Sequence, residues 1–141
     1  MIVKITKLRD DVEIPQYQTD GAAAFDLASA ERIVIPARTQ ALLPTGLVIA
    51  TPPGHVLLLT ARSSLFKKKG LMLANGVGTI DSDYCGPEDQ LYISVYNQLD
   101  SEVAVEAGDR VAQGIILPIV RAEFEEAEAQ GDSRGGFGST G

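Results

Sequence analysis

Cysteine and histidine are almost missing from this chain: Cys85 and His55 each stand alone among 141 residues. One thiol excludes an internal disulfide framework and a cysteine-based zinc site. One imidazole argues against a histidine-rich metal site or a Ser-His-Asp triad. No apolar run approaches the roughly 18 residues that cross a bilayer, and the start, Met1-Ile2-Val3-Lys4-Ile5, lacks the apolar stretch of a secretory signal. The expectation is a cytoplasmic protein with no membrane partner. Cations are also in the minority. With 12 basic and 19 acidic residues the net charge is −7, a field that repels nucleic acid, so no nucleic-acid partner is expected. An anionic ligand must then meet local cations or arrive with a metal. Arg62, Arg110, Arg134 and the lysines at 67–69 lie in polar, glycine-flanked segments, and the lysine run reads as solvated surface.

What is present has the balance of an ordinary globular protein, 45% hydrophobic and 22% charged, in a length that suits one domain. Strand signals dominate. Residues 2–8 alternate apolar and polar side chains, and residues 33–35, 47–49, 56–59, 91–96 and 103–105 are short aliphatic or β-branched runs bounded by Pro and Gly. Residues 115–120 contain Pro118, which predicts an edge or a bend. Short, closely spaced strands of this kind predict an all-β barrel or jelly roll rather than βαβ units. Helix is expected at most once, as a short turn over 63–69 ahead of Gly70. The alanine-rich 22–30 segment carries only weak helical propensity.

The stretch around which the chain is organised runs from Gly76 to Gly86, Gly-Val-Gly-Thr-Ile-Asp-Ser-Asp-Tyr-Cys-Gly. Extended backbone would place Asp81 and Asp83 on one face and Ser82 and Tyr84 on the other. A turn would let Asp81 and Tyr84 line one cavity. A plain β-hairpin with Asp in its turn is the competing reading. Beyond Val120 the composition shifts: 123–130 is acidic and too short to hold as an isolated helix, and 131–141 has five glycines in eleven residues. Residues 1–122 are therefore expected to form the domain and 123–141 a flexible C-terminal arm. The arm couples Arg134, Phe137, Ser139 and Thr140 with a string of glycine N–H groups, the parts needed to wrap a phosphate chain and cover a base. It is not a Walker A loop, because no Gly-Lys-Ser/Thr ending follows a strand.

Five segments now stand in order: Ala24-Phe25-Asp26-Leu27; Ala61-Arg62-Ser63-Ser64-Leu65; Asn75 through Gly78 and Asp81 to Tyr84; Gly108-Asp109-Arg110-Val111-Ala112-Gln113; and 134–141. Their order and spacing resemble the five motifs of the trimeric deoxyuridine triphosphatases (dUTPases), from about residue 20 to the last residue. The resemblance implies a jelly-roll fold and a homotrimer with active sites at subunit interfaces. It implies hydrolysis of dUTP to dUMP and pyrophosphate with Mg²⁺ carried on the triphosphate. By the same resemblance, Asp81 is the catalytic carboxylate that orients a water and takes its proton. Asp83 is a turn residue. Tyr84 lies under the deoxyribose and leaves no room for a 2′-hydroxyl. Asn75 and backbone groups around Gly78 read the uracil edge. Arg62, Ser63, Ser64 and Gln113 bind phosphates, with Asp109 and Arg110 as a structural ion pair. Asp26 holds a water of the Mg²⁺ shell rather than the metal itself. In the arm, Arg134 neutralises the γ-phosphate end, Phe137 stacks on uracil, and Gly138, Ser139 and Thr140 donate to phosphate oxygens.

Two departures from the family pattern stand out. Ala61 and Ser64 occupy places where many relatives carry proline and glycine. After Tyr84, Cys85-Gly86-Pro87-Glu88-Asp89-Gln90 forms a longer and more acidic exit than relatives commonly have. Cys85 reads as a small buried filler, with no cationic partner to make it a nucleophile. Two other functions remain open: a dCTP deaminase-like enzyme of the same fold, and a nucleotide-binding β-trimer without catalysis.

Overall fold

The computed structural model describes residues 1–136 of the chain. Eleven strands and one helix follow in order: β1 (Lys4–Lys7), β2 (Phe25–Ala28), β3 (Ile33–Ile35), β4 (Gln40–Pro44), β5 (Leu47–Ala50), β6 (His55–Ala61), α1 (Leu65–Lys69), β7 (Leu71–Leu73), β8 (Gly78–Ile80), β9 (Tyr92–Asn97), β10 (Val103–Val105) and β11 (Arg110–Pro118). Every pairing is antiparallel. A four-stranded sheet in the order β2-β11-β6-β8 faces a three-stranded sheet β4-β9-β7 across the core, with the pairs β1-β5 and β10-β3 completing a jelly-roll barrel. The all-β expectation holds, and so does the single short helix at the place proposed for it.

Alternation explains the layering. In β9 the pattern of Tyr92 to Asn97 sends Ile93, Val95 and Asn97 inward, while β2 sends Phe25 and Leu27 inward and Asp26 outward. The fully buried aliphatics Leu27, Leu57, Leu71, Ile93 and Val95 join in one core, each worth about 2 kcal/mol of transfer free energy. Asn97 is the polar member of that core. Its Nδ2 donates to the carbonyls of Ile35, Pro36 and Ser101, and its Oδ1 accepts from Leu99 N–H, so its burial leaves nothing unpaired.

One sequence reading changes and one holds. Within the alanine-rich segment Phe25–Ala28 form strand β2, because their pairing with β11 outweighs helical propensity. Pro118 closes β11 opposite His55, in the part of the strand beyond Gly114 that only β6 pairs, so the edge expected there is present. A proline there ends the ladder without orphaning a donor inside it. Close approach demands glycine at position 114, where a Cβ would sit 2.6 Å from ring atoms of Phe25. From Ile119 to Gly136 there is neither helix nor strand, and the side chains are exposed, Phe124 almost completely.

Candidate functional site

The four-stranded sheet places the motif residues. Gln113 on β11 pairs with Asp26 on β2 and with Thr60 on β6, so the three side chains form one row across the sheet's outer face. Arg62 and Arg110 lie at the same end. The Asp26 carboxylate, its side chain 11% exposed, is shared between them: Arg62 Nε is 2.8 Å from Oδ1 and Arg110 Nη1 donates to Oδ2 at 3.1 Å. Arg62 Nη1 also donates to the Arg110 carbonyl at 3.3 Å. Two anchors therefore fix the Arg62 plane. The trio carries a formal charge of +1, concentrated where an anion can reach it. Next to it an open groove of about 590 Å³, walled by residues 11–16, is floored by Asp26, Ser29 and Arg110.

Ser63 and Ser64 follow Arg62 at the entry to α1. Ser64 occupies the cap position without using its hydroxyl as a cap, although its carbonyl accepts Lys68 N–H. Both hydroxyls are thus uncommitted to the helix. At its other end α1 is stapled to the turn that precedes β11. Lys69 Nζ lies 2.7 Å from Asp109 Oδ2 and donates to the Ala104 carbonyl. Burial alone would push the Asp109 carboxyl up. The Lys69 hydrogen bond, the Glu106 N–H and the charge of Lys69 outweigh it, and the group titrates below the ordinary carboxylate range. The structure so corrects two readings. Asp109 pairs with Lys69 rather than with its neighbour Arg110, because it lies in the turn before β11 while Arg110 opens the strand and reaches across to Asp26. Of the lysine run, Lys67 and Lys68 are exposed but Lys69 is not free surface.

The second group sits elsewhere. Residues 74–77 cross from β7 in one sheet to β8 in the other, so Gly76 to Gly86 is not a hairpin. Gly76 supports the crossing at φ 70°, a conformation that costs other residues. Asn75 is exposed ahead of β8. Gly78 is buried opposite Leu59, and Asn75 Nδ2 lies 3.5 Å from the place a Gly78 Cβ would take. Past Ile80 the chain turns over Ser82 and Asp83, closed by Tyr84 N–H donating to the Asp81 carbonyl at 3.2 Å. That turn leaves Asp81 and Tyr84 exposed and gives Asp83 the turn position expected of it. Cys85 is exposed, not buried, with Sγ 3.5 Å from the Ser82 carbonyl. The turn swings it out of the sheet before the chain can re-enter the core.

Register shows how far apart the two groups lie. Ile80 pairs with Leu57, and Arg62 is five residues further along the β6 chain, so Asp81 and Arg62 are about 20 Å apart within one copy at about 3.3 Å per residue. The structure therefore brings Asp26, Arg62 and Gln113 together, with Ser63 and Ser64 beside them, and keeps Asp81 and Tyr84 at the far end of the sheet. Arg134 is exposed in the extended segment. Phe137, Gly138, Ser139 and Thr140 fall outside the described residues. Sequence reasoning missed Arg110 as a partner of Asp26, and it missed Thr60, whose hydroxyl is shielded and has no partner. Arg110 reaches Asp26 only through the irregularity between Arg110 and Ala112, and Thr60 meets Gln113 from another strand, so no local period flags either.

The dUTPase family model matches residues 10–141. A deoxyuridine 5′-triphosphate nucleotidohydrolase of Anaeromyxobacter sp. (strain Fw109-5) is 41% identical over 133 residues, covering 92% of this chain and 88% of its own. Among solved structures, the dUTPase of Streptococcus mutans superposes with a TM-score of 0.78 at 38% identity, over 85% of this chain and 98% of its own. The Staphylococcus bacteriophage 80alpha dUTPase with dUPNHPP superposes with a TM-score of 0.86 at 26% identity, over 99% and 98%. Barrel topology, motif placement and full-length similarity agree, and this chain belongs to the dUTPase family.

Proposed function

We propose that this protein hydrolyses dUTP to dUMP and pyrophosphate at sites completed between copies of the chain. The observation that carries the reading is the paired architecture of one sheet: a fixed cationic end built by Asp26, Arg62 and Arg110 with Gln113, and a carboxylate turn at Asp81 that the same copy holds about 20 Å away. A second copy supplies what the first lacks. The outer face between the two ends carries Val56, Leu58 and Ile115, half-buried, and Leu117, 41% exposed, where a solvated sheet would carry polar residues. That apolar strip and the exposed segment 119–136 support a homotrimer in which sheet faces meet and arms cross to neighbours. The body at 1–122 and the arm at 123–141 are the two parts of that arrangement.

In this reading uracil meets Asn75 and the backbone at Gly78, where cytosine's amino group would leave polar groups unpaired. The deoxyribose stands on the Tyr84 ring. Arg62, Ser63, Ser64 and Gln113 grip the phosphates, and Arg134, Phe137, Gly138, Ser139 and Thr140 close over them, excluding bulk water. Asp81 orients a water and accepts its proton as the oxygen bonds to the α-phosphorus. The bond from the α-phosphorus to the α,β-bridging oxygen breaks, and its electron pair leaves with pyrophosphate, whose charge the arginine end stabilises.

The residues present fit Mg²⁺ in one manner only. No cluster of three or more ligand side chains occurs among the described residues, and both Asp26 oxygens already face guanidinium groups. Asp26 would therefore hold a water of an ion that arrives on the triphosphate, the manner suited to a cation that dehydrates reluctantly. When bound, the ion supplies neutralisation of phosphate charge. A cytoplasmic location belongs to the proposal. Among the described residues no helix is long and apolar enough to cross a membrane.

Incubation with dUTP and Mg²⁺ should release pyrophosphate, with dTTP, dCTP and UTP nearly inert. Equal turnover of the four nucleotides overturns the uracil and deoxyribose assignment, and ammonia released from dCTP would point to a deaminase instead.

A further inference from the structure

The exit from the Asp81 turn is built more firmly than its exposure suggests. Gly86 N–H donates to Asp89 Oδ2 at 2.7 Å, Asp89 N–H returns to the Gly86 carbonyl at 3.1 Å, and Gln90 N–H bonds the Glu88 carbonyl at 2.8 Å. Residues 86–90 thus fold on themselves through local bonds, with the aspartate side chain standing in for a backbone acceptor. The loop then returns to its own start, where the Tyr84 phenol donates to the Gln90 carbonyl at 3.0 Å.

Gln90 is in turn tied to the barrel. Its Oε1 accepts Gly46 N–H at 2.8 Å and its Nε2 donates to the Tyr92 hydroxyl at 2.9 Å. The next residue, Leu91, is 2% exposed, and its carbonyl takes both the Thr45 N–H and the Thr45 hydroxyl. A ring that is 39% exposed thereby hangs from a carbonyl fixed to the core. Without that bond an exposed tyrosine would sample its rotamers freely.

We infer that Gln90 is a positioning residue for Tyr84, and that the 85–90 loop is a brace that holds the phenol ring in one orientation and so sets discrimination against nucleotides carrying a 2′-hydroxyl. The inference rests on the proposed dUTP hydrolysis and deepens it. A ring held in place excludes a hydroxyl sterically. A ring that swings lets the ribonucleotide in and gains nothing for the deoxynucleotide. Tyr84 touches the sugar. Gln90 acts only through it.

The test compares kcat/KM for dUTP with that for UTP in the wild type, Gln90→Ala, Gln90→Glu, Tyr84→Phe and the double variant Tyr84→Phe/Gln90→Ala, at matched folded fraction. The preference for dUTP should fall about fivefold in both Gln90→Ala and Tyr84→Phe, the equivalent of one ordinary hydrogen bond. The double variant should fall no further, because both changes cut the same connection. Gln90→Glu keeps an acceptor for Gly46 N–H and should retain most of the preference. A Gln90→Ala enzyme that slows equally on both nucleotides overturns the inference, since a merely structural loop would behave so. An unchanged preference in Tyr84→Phe overturns it too, and this variant removes only one oxygen from an exposed ring, so it stays readable where Gln90→Ala folds poorly. A wild type that does not prefer dUTP sinks the functional reading itself, and the inference with it, which is a different result from an unaltered preference in the variants.

Discussion

The two ends of the four-stranded sheet hold their polar groups by different means. At the Asp26 end, side chains hold side chains: one carboxylate fixes two guanidinium groups, a backbone carbonyl fixes one of them again, and Lys69 with Asp109 ties the flanking helix to the turn before β11. At the Asp81 end no ion pair does the holding: a backbone turn bond joins Tyr84 to Asp81, and single neutral or carboxylate side chains reach backbone groups through residues 84–90. The first end is assembled before any ligand arrives, as electrostatic stabilisation of a leaving group requires. The second leaves Asp81 and Tyr84 open to whatever docks against them. One end is a prepared receptor for charge. The other is a presented tool, which in the proposed reading a second copy completes.

The sharpest way to break this contrast is at Asp81. Asp81→Asn removes the proposed proton acceptor from an exposed side chain that ties down nothing else among the described residues. Turnover of dUTP should fall by at least about 100-fold, the usual scale of a lost general base. Binding of a non-hydrolysable imido analogue, measured by calorimetry, and the thermal midpoint should stay near wild type. Substantial turnover in the variant would remove Asp81 from the chemistry.

Charge and geometry separate at Arg62. Arg62→Lys keeps the charge at the prepared end, but a single ammonium cannot reach Asp26 and the Arg110 carbonyl while still facing a phosphate. KM for dUTP should rise about tenfold with kcat less affected. If lysine serves as well as arginine, the end works as a diffuse positive field and its fixed geometry has no catalytic meaning.

How much of this was legible in the sequence depends on which kind of contact does the holding. Strands at 33–35 and 103–105 announced themselves through short aliphatic, largely β-branched runs, and their bounds match the structure. Strand β2 did not, because Ala28 takes its conformation from a partner, Arg110, that lies 82 residues away. Asp26, Arg62 and Gln113 were visible as members of motifs, yet the Arg110 bond to Asp26 was not, since a cross-strand contact follows from register and register is fixed by the whole barrel. The backbone turn after Ile80 was legible in its Asp-Ser-Asp-Tyr composition, and Cys85 was misread because a lone cysteine carries burial only as an average tendency.

A further prediction probes what the prepared end stands on. Gly114 lies on β11 next to Gln113, and its missing Cβ makes room for Phe25, the neighbour of Asp26. Gly114→Ala would force the ring back through a packed core and should destabilise the fold by about 1–3 kcal/mol, read as a lower urea midpoint. The same change in any glycine that faces open space, such as Gly21, should cost far less.

The smallest effect concerns pH and the staple between α1 and the β10–β11 connection. Asp109 titrates below its unfolded value of 3.8, so its carboxylate form favours the folded state. That contribution is fully present above the unfolded value and is lost as pH falls through the lower folded one. The wild type should therefore lose stability on acidification below about pH 4 more steeply than Asp109→Asn, which lacks the titrating group, with the two curves running parallel at higher pH. Since Lys69 and Asp109 are each about one-third exposed, solvent screening keeps the difference small, and added salt should shrink it further. Urea midpoints taken across the acid limb at low and high salt would read both trends. Parallel curves throughout would mean that α1 is held at the prepared end by packing of Leu65 alone, and that the ion pair is incidental to the placement of Arg62, Ser63 and Ser64.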